Sequence, residues 1–503
     1  RLPTVVIRSP YGRRGGIGTI ARVLAYAGFT VLFQSCRGTK GSGGEFRPWV
    51  DEQADGIATY RWVRRQPWFT GRLAATGESY MGYAVWAAAG RLHGEQSEDA
   101  PKALVAEVTM PDFGPVAWEH GAFALNTALG WSRGMDRMRQ GRMNPLAMLL
   151  PDRALQRALD VLPLGAGDSA AAGHPIGWYQ DWLRHEDLDD GYWAEQSHAA
   201  SVADVTAPVL MGTGWYDLFL PGQLRSYRRL VDAGNPPRLT IGPWSHRSPG
   251  RGAPSHRDTV AFLREVFLGE AWDRPAPVHA FQTGAERWHD LPEWPPPGVS
   301  DETWRLGADG GMSPDAAAAG VRSFTYDPAH PTPALGGPWQ QRGAEPVDNA
   351  EHEERADVMT ARSDVLGAPL DLAGEPVAAV RIRSSAPSFD VFARITDVHP
   401  DGRSMTVCDG IRRIGSVGSA ATDPEPDGEG FREVAVTLWP TFHRFAAGHR
   451  IGIQLASGAH PRWARNPGTG EPAIDAAATV VAHQELAHGG ATGTRMTLPV
   501  WSP

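Results

Sequence analysis

The stretch Ala74–Gly90 reads AATGESYMGYAVWAAAG. A short apolar run ends at Gly77, Ser79 follows two positions later, and small residues continue beyond it at helical spacing. A serine at the joint between a buried strand and a helix is the mark of a nucleophile elbow, a sharp turn that exposes the hydroxyl at the carboxyl edge of a parallel sheet. Crowding at such a turn demands small neighbours. Gly77 supplies one, but the usual G-x-S-x-G spacing wants a second at position 81, where Met81 stands, and the glycine comes one residue late at Gly82. Taken alone, the stretch reads equally as an ordinary strand-to-helix connection that contains a serine.

Working outward, the upstream sequence alternates strand and helix signals: PTVVIRSPYG, then GTIARVLAYAGF, then TVLFQSCRG, then WVDEQADGIATYRWVRRQPW. Short β-branched runs separated by amphipathic helices predict a parallel sheet with helices on its faces. Downstream, APVLMGTGWYD, PGQLRSYRRLVDAG and PRLTIGPWSH resume the pattern. Between these halves the text turns to helix formers and aromatics without strand alternation, which predicts an inserted helical lid. Its tryptophans fit either a pocket lining or plain core. After DLPEWPPPG, Pro-rich stretches separate short alternating runs (PVAAVRIRSS, DVFARITDV, REVAVTLW, HRIGIQLAS), the pattern of an antiparallel sandwich or jelly roll. The expected organisation is an α/β domain from 1–112 and 201–300, a helical lid or cap at 113–200, and an all-β jelly roll at 301–503, with no internal repeat.

The length of 503 residues suits two to three domains. A net charge of −9 argues against nucleic acid as a partner, because neutralising phosphates needs clustered Lys and Arg. Cys36 and Cys408 are the only cysteines, which excludes a disulfide framework and a cysteine-based zinc knuckle. No segment reaches the ~20 apolar residues of a membrane span. The opening RLPTVVIRSP lacks the regions of a signal peptide. A soluble, cytoplasmic protein without a membrane partner is expected. The chain starts without Met almost directly on a strand, so an upstream segment is expected to be missing. HEDLDD at His185 and EHEE at His352 carry possible metal ligands but no helix-spaced pair such as H-E-x-x-H, and read as acidic surface.

If Ser79 is a nucleophile it needs a base and an acid, which in this architecture follow in the order Ser, acid, His on loops after later strands. Asp217 stands just past one strand signal in MGTGWYDLF, and His246 just past the next in IGPWSHRS. Singly, Asp217 also reads as a helix N-cap before LFLPGQL, and His246 as one loop histidine among 17. The agreement of three independent placements favours the triad.

SPYG, GESYMG, GWYD and GPWSH, in that order, resemble the family of cocaine esterase, X-Pro dipeptidyl peptidase, α-amino-acid ester hydrolases and cephalosporin-type acylases (CocE/NonD-type serine hydrolases). That family writes its elbow G-x-S-Y-x-G, which accommodates Met81. The segments YDPAHPTPALGG, DVFARITDVHPDGRSMTVCDGIRR and HPRWARNPGTG resemble its C-terminal jelly roll. The resemblance covers nearly the whole chain and implies an α/β-hydrolase core with lid and jelly roll. It implies Ser79 as nucleophile, Asp217 as acid and His246 as base. The backbone N–H of Tyr80 and the hydroxyl of Tyr11 would form the oxyanion hole, and no metal or organic cofactor is needed.

The implied partner is a small-molecule ester or amide, with homo-oligomerisation left open. Relatives that accept free α-amines hold the ammonium with carboxylates. Asp112 in MPDFGP and Glu119 in AWEHG could contribute, and Trp215 of GWYD is a further substrate-binding candidate. Solvated loop carboxylates are commoner, so a general acyl esterase or acylase is favoured over an X-Pro aminopeptidase or α-amino-acid ester hydrolase. A second class of reading is a ligand-binding protein whose jelly roll recognises and whose hydrolase domain is inert. Against it, none of Ser, Asp and His is missing. The sequence departs from the family pattern twice: relatives carry an N-terminal hairpin before the first strand, and an Asp where this chain has Ser35 in QSCRG.

Overall fold

The structure is a computed structural model that describes residues 2–142, 152–274, 276–315, 317–340, 344–418 and 422–502. The part of the lid reading that falls on 143–151 lies outside them. The alternating signals form strands β1 (Thr4–Ser9), β2 (Thr30–Ser35), β3 (Leu73–Glu78), β4 (Ala103–Glu107), β5 (Val209–Tyr216), β6 (Arg238–Ser245), β7 (Val278–Gln282) and β8 (Arg287–Leu291). They pair in the order β8-β7-β6-β5-β4-β3-β1-β2, parallel except for β8 on β7. Every residue of β1, β4 and β5 is buried, as a sheet covered on both faces requires. The sequence reading did not single out β4, whose ALVAE has no alternation for the same reason.

Helices α1 (Thr19–Tyr26), α2 (Glu52–Arg64), α3 (Tyr80–Gly94), α4 (Leu125–Arg139), α5 (Gly177–Arg184), α6 (Leu220–Asp232) and α7 (Gly252–Leu268) cover this sheet. On one face Leu24 of α1 and Phe262 and Leu263 of α7 pack on Val5 and Ile7. On the other, Tyr60 of α2 and Trp86 of α3 share a cluster with Leu129 of α4 and Trp182 of α5, so the inserted helices complete the same core. The insertion also holds a two-residue-per-strand ladder, Trp118–Glu119 with Ala122–Phe123, where no strand was expected. Its connection is His120 and Gly121, with φ of 47° and 82°. Positive φ at both loop residues is the backbone that closes a tight two-residue hairpin.

The four alternating runs after the Pro-rich stretch are all strands: Val377–Ser384, β9 (Phe389–Val398), Arg432–Thr437, and the run ending at Ala456. With β10 (Ser404–Ile414), β11 (Thr441–Phe445) and β12 (Arg450–Ala456) they belong to a 13-stranded β-sheet system among the described residues. β9 pairs antiparallel with both β10 and β12. Val380, Ile395, Phe445, Ile453 and Leu498 fill its interior. The hydrolase sheet is stitched to it where β7 ends: Thr283 N donates to Phe442 O at 2.9 Å and Arg444 N to Thr283 O at 2.9 Å. Among the described residues no helix is long and apolar enough to cross a membrane.

Candidate active site

Ser79 links β3 to α3 with φ 58° and ψ −130°, a region that non-glycine residues occupy at a cost of order 1–3 kcal/mol. Its surroundings impose that conformation. The Ser79 amide donates to the Glu107 carbonyl at 3.0 Å, and its carbonyl accepts from Thr109 Oγ1 at 2.7 Å. A Cβ on Gly77 would lie 2.3 Å from the Met81 backbone, and one on Gly82 would lie 2.6 Å from the Thr109 side chain. The second glycine therefore belongs at 82, the position that meets Thr109. Met81 is buried in the core on the opposite face, with Val5 and Leu210, where a larger side chain has room.

His246 follows β6 and reaches Ser79, and Asp217 follows β5 and reaches His246. His246 Nε2 lies 3.1 Å from Ser79 Oγ, and His246 Nδ1 lies 2.9 Å from Asp217 Oδ2. Asp217 is fully buried, and its other oxygen accepts the Phe219 amide at 2.8 Å. Asp217 is not the N-cap of α6, a place taken by Phe219; one of its oxygens holds the turn before the helix and the other faces the imidazole. Phe219 stands edge-on to the His246 ring at 5.2 Å. With Nδ1–H donated to the carboxylate, Nε2 presents its lone pair to the serine hydroxyl, the arrangement in which a serine can lose its proton on attack.

Two donors border the hydroxyl. The Tyr80 amide opens α3 and, as a first-turn N–H, has no intrahelical acceptor. The Tyr11 hydroxyl accepts from Trp131 Nε1 at 3.2 Å; an indole N–H can only donate, so the phenolic proton is left for another acceptor. Burial pushes the Tyr11 pKa up to about 12, with hydrogen bonds to Trp131 and Ser79 opposing, which keeps it a neutral donor. Trp131 comes from α4 of the insertion, and its sequence context marked it only as one aromatic among many.

Beneath the elbow, the Tyr80 hydroxyl donates to Glu52 Oε1 at 2.9 Å and accepts the Trp49 amide at 3.1 Å. Glu52 is neutralised by Arg8 at 2.8 Å. Both are buried, but a charged residue in a strand and another in a helix ordinarily face water, so the sequence carried no signal for them. Glu107 pairs in register with Glu78. Burial raises its pKa to about 7, opposed by the Ser255 hydroxyl, which donates to Oε2 at 2.6 Å. Ser35, where the family resemblance implies Asp, has a buried Oγ without a hydrogen-bond partner. The nearby Arg8 is met by Glu52 and Asp55 instead.

The remaining candidates lie apart from the relay. Trp215 is buried, donates to the Phe281 carbonyl at 2.6 Å and packs on Trp294 at 5.1 Å. Both Glu119 oxygens are occupied by indole N–H groups, one from Trp439 and one from Trp463 at 3.1 Å. Glu119 lines a cavity of about 570 Å³ with Leu218, Arg225, Trp439 and Trp463, and none of the relay residues lines it. Asp112 has one oxygen out of water without a hydrogen-bond partner. Burial raises its pKa, opposed by Arg225 and Arg229.

Known proteins resemble this chain along both of its halves. Residues 1–248 match the family described as X-Pro dipeptidyl-peptidase (S15 family), and residues 270–497 match the X-Pro dipeptidyl-peptidase C-terminal non-catalytic domain. Cocaine esterase of Rhodococcus sp. (strain MB1 Bresler) is 30% identical over 514 residues, 93% of this chain and 88% of that protein. The chain belongs to the X-Pro dipeptidyl-peptidase (S15) family. Solved structures share the α/β-hydrolase fold and the C-terminal β domain. An aminopeptidase from a marine sediment Thaumarchaeota archaeon superposes with a TM-score of 0.83 at 22% identity, covering 100% of this chain and 92% of its own. An α-amino acid ester hydrolase gives 0.81 at 22% identity, covering 99% and 92%. As a member of the S15 family the protein is a serine hydrolase of ester or amide bonds, and the reading as an inert ligand-binding protein falls away.

Proposed function

We propose that this protein hydrolyses a small-molecule ester or amide through an acyl-enzyme on Ser79. His246 takes the hydroxyl proton as Ser79 attacks the carbonyl, and Asp217 holds the imidazole and stabilises its cation. The Tyr80 amide and Tyr11 hydroxyl receive the oxyanion. His246 returns the proton to the leaving alcohol or amine, and water releases the acid by the same steps in reverse. The observation that carries this is the continuous line of 3.1 Å and 2.9 Å from Ser79 through His246 to Asp217. Ser79→Ala is expected to abolish hydrolysis of an activated aryl ester with the thermal midpoint unchanged. Retained activity would reject the assignment.

On the acyl side, Trp131 lies parallel to Tyr80 with ring centroids 6.1 Å apart, and Trp178 meets Phe46 edge-on at 5.9 Å. We assign these rings to an apolar wall beside the oxyanion donors, suited to an apolar acyl group. The protein is then a general acyl esterase or acylase, a reading supported by Glu119, whose two oxygens already accept indole N–H groups and which lines a cavity that none of the relay residues lines. The free Asp112 oxygen favours a second reading, an aminopeptidase or α-amino-acid ester hydrolase. Rates on an α-amino ester and its des-amino analogue separate the two: a large preference for the amine would overturn the first. The divisions 1–112 with 201–300, 113–200 and 301–503 are retained as the corresponding functional units.

A further inference from the structure

In the jelly roll, the end of β9, the turn after it, β11 and the turn before β12 bring four side chains together. Asp397 Oδ1 lies 2.8 Å from His449 Nδ1, and its Oδ2 lies 3.4 Å from His443 Nε2 and 3.7 Å from His399 Nε2. One ligand atom each of Asp397, His399 and His449 falls within 4.8 Å of the others. Donors bound to a tetrahedral zinc ion at ~2.0–2.1 Å stand roughly 3.3 Å from one another; the separations of 2.8 Å from His449 and 3.7 Å from His399 to the carboxylate bracket that spacing, while His443 reaches the carboxylate but lies outside the set of mutually close ligand atoms.

The tautomer of His443 points the same way. Its Nδ1 lies 2.9 Å from Thr283 Oγ1, and that hydroxyl donates to the Phe442 carbonyl at 3.0 Å. With its one proton so placed, Thr283 must accept, so Nδ1 carries the hydrogen and Nε2 its lone pair. His443 is 7% exposed, and Nε2 is buried without a hydrogen-bond partner. A lone pair aimed at a carboxylate oxygen in a buried site is unfavourable unless a cation stands between them. One carboxylate offsets one imidazolium, whereas a dication satisfies the carboxylate and all three rings at once. The contact between Thr283 and His443 is also the outer-shell hydrogen bond that fixes the tautomer of a metal-bound histidine. One contact opposes: Arg403 Nη2 reaches His399 Nδ1 at 3.3 Å. Arg403 is half exposed and also held by Asp401, so it can swing clear when that nitrogen takes the proton.

We propose that Asp397, His399, His443 and His449 form a divalent-metal site of the zinc type that clamps the jelly-roll strand ends beside the joint with the hydrolase sheet. Imidazole and carboxylate donors suit zinc; three of them already stand together, and His443, drawn in by the ion, supplies the fourth ligand of a structural site. Ester hydrolysis through Ser79 does not depend on it.

The test uses the full chain, stripped with a chelator, desalted and titrated with Zn²⁺ and, separately, Co²⁺. Expected are saturable uptake of one equivalent, visible absorption bands of tetrahedral Co²⁺, and a rise in thermal midpoint on Zn²⁺ addition. The double variant H399A/H449A should lose all three. H399A alone, at a partly exposed ligand that the fold tolerates losing, should weaken Zn²⁺ at least ~10-fold. Aryl-ester hydrolysis should persist in each. No saturable uptake by the unaltered chain, which would mean Asp–His ion pairs only, overturns the proposal; so does uptake unchanged in H399A and H399A/H449A.

Discussion

The edge of the hydrolase sheet and the interior of the jelly roll both take charged and polar groups out of water, and they do so to opposite ends. In the jelly roll Asp409 receives Arg394 at 2.7 Å and Arg462 at 2.6 Å. Arg413 grips Asp390 through two hydrogen bonds of 2.7 and 2.8 Å. Each of these carboxylates is closed on a guanidinium. At the sheet edge the chain of partners runs from Asp217 through His246 and stops at the Ser79 hydroxyl, and Tyr11 is supplied with a donor so that its own proton stays available. The difference teaches that buried polarity marks reactivity where a relay ends on an open hydroxyl, and rigidity where a carboxylate is closed on a guanidinium.

That comparison can be broken at either end. The largest effect is expected for Asp217→Asn. If the carboxylate sets the His246 tautomer as proposed, kcat should fall by about 10⁴-fold, measured on an aryl ester at constant thermal midpoint; a fall below tenfold would remove the acid from the relay. Next is Asp390→Ala, which strands the Arg413 guanidinium. The loss should be about 3–5 kcal/mol of stability in denaturant titration, with activity per folded molecule unchanged.

These contrasts also separate what was legible in the sequence from what was not. The elbow, the acid and the base each follow a strand signal, so order along the chain carried them, as alternation carried the jelly-roll strands. Strand β4 escaped because burial on both faces erases alternation. Arg8, Glu52 and Trp131 escaped because their partners lie far along the chain: Tyr80 binds Glu52, and Trp131 crosses from the insertion to Tyr11. Asp112, Glu119 and Trp215 stood out by residue type and proximity to motifs. Their environments depend on side-chain direction, which those cues do not encode.

Tyr11→Phe sharpens the open end of the comparison. Losing one oxyanion donor should lower kcat by ~10²–10³-fold, with little change in KM. Glu107→Gln gives the smallest effect. The native carboxyl titrates at about 7 against 4.5 in the unfolded chain, so the folded state holds the extra proton between those values. Stability should therefore fall as pH rises through that window and level off above it, by ~3 kcal/mol at most. The variant should lose that slope and be the more stable protein at pH 8, read from denaturant midpoints across the range.

The most direct trial of the open-ended site is labelling with a serine-directed fluorophosphonate, followed by peptide mass spectrometry. The account predicts one phosphonyl group per chain, carried on Ser79, formed far more slowly in His246→Ala and absent in Ser79→Ala. A label on another serine, or hydrolysis that persists while Ser79 stays unlabelled, would contradict it.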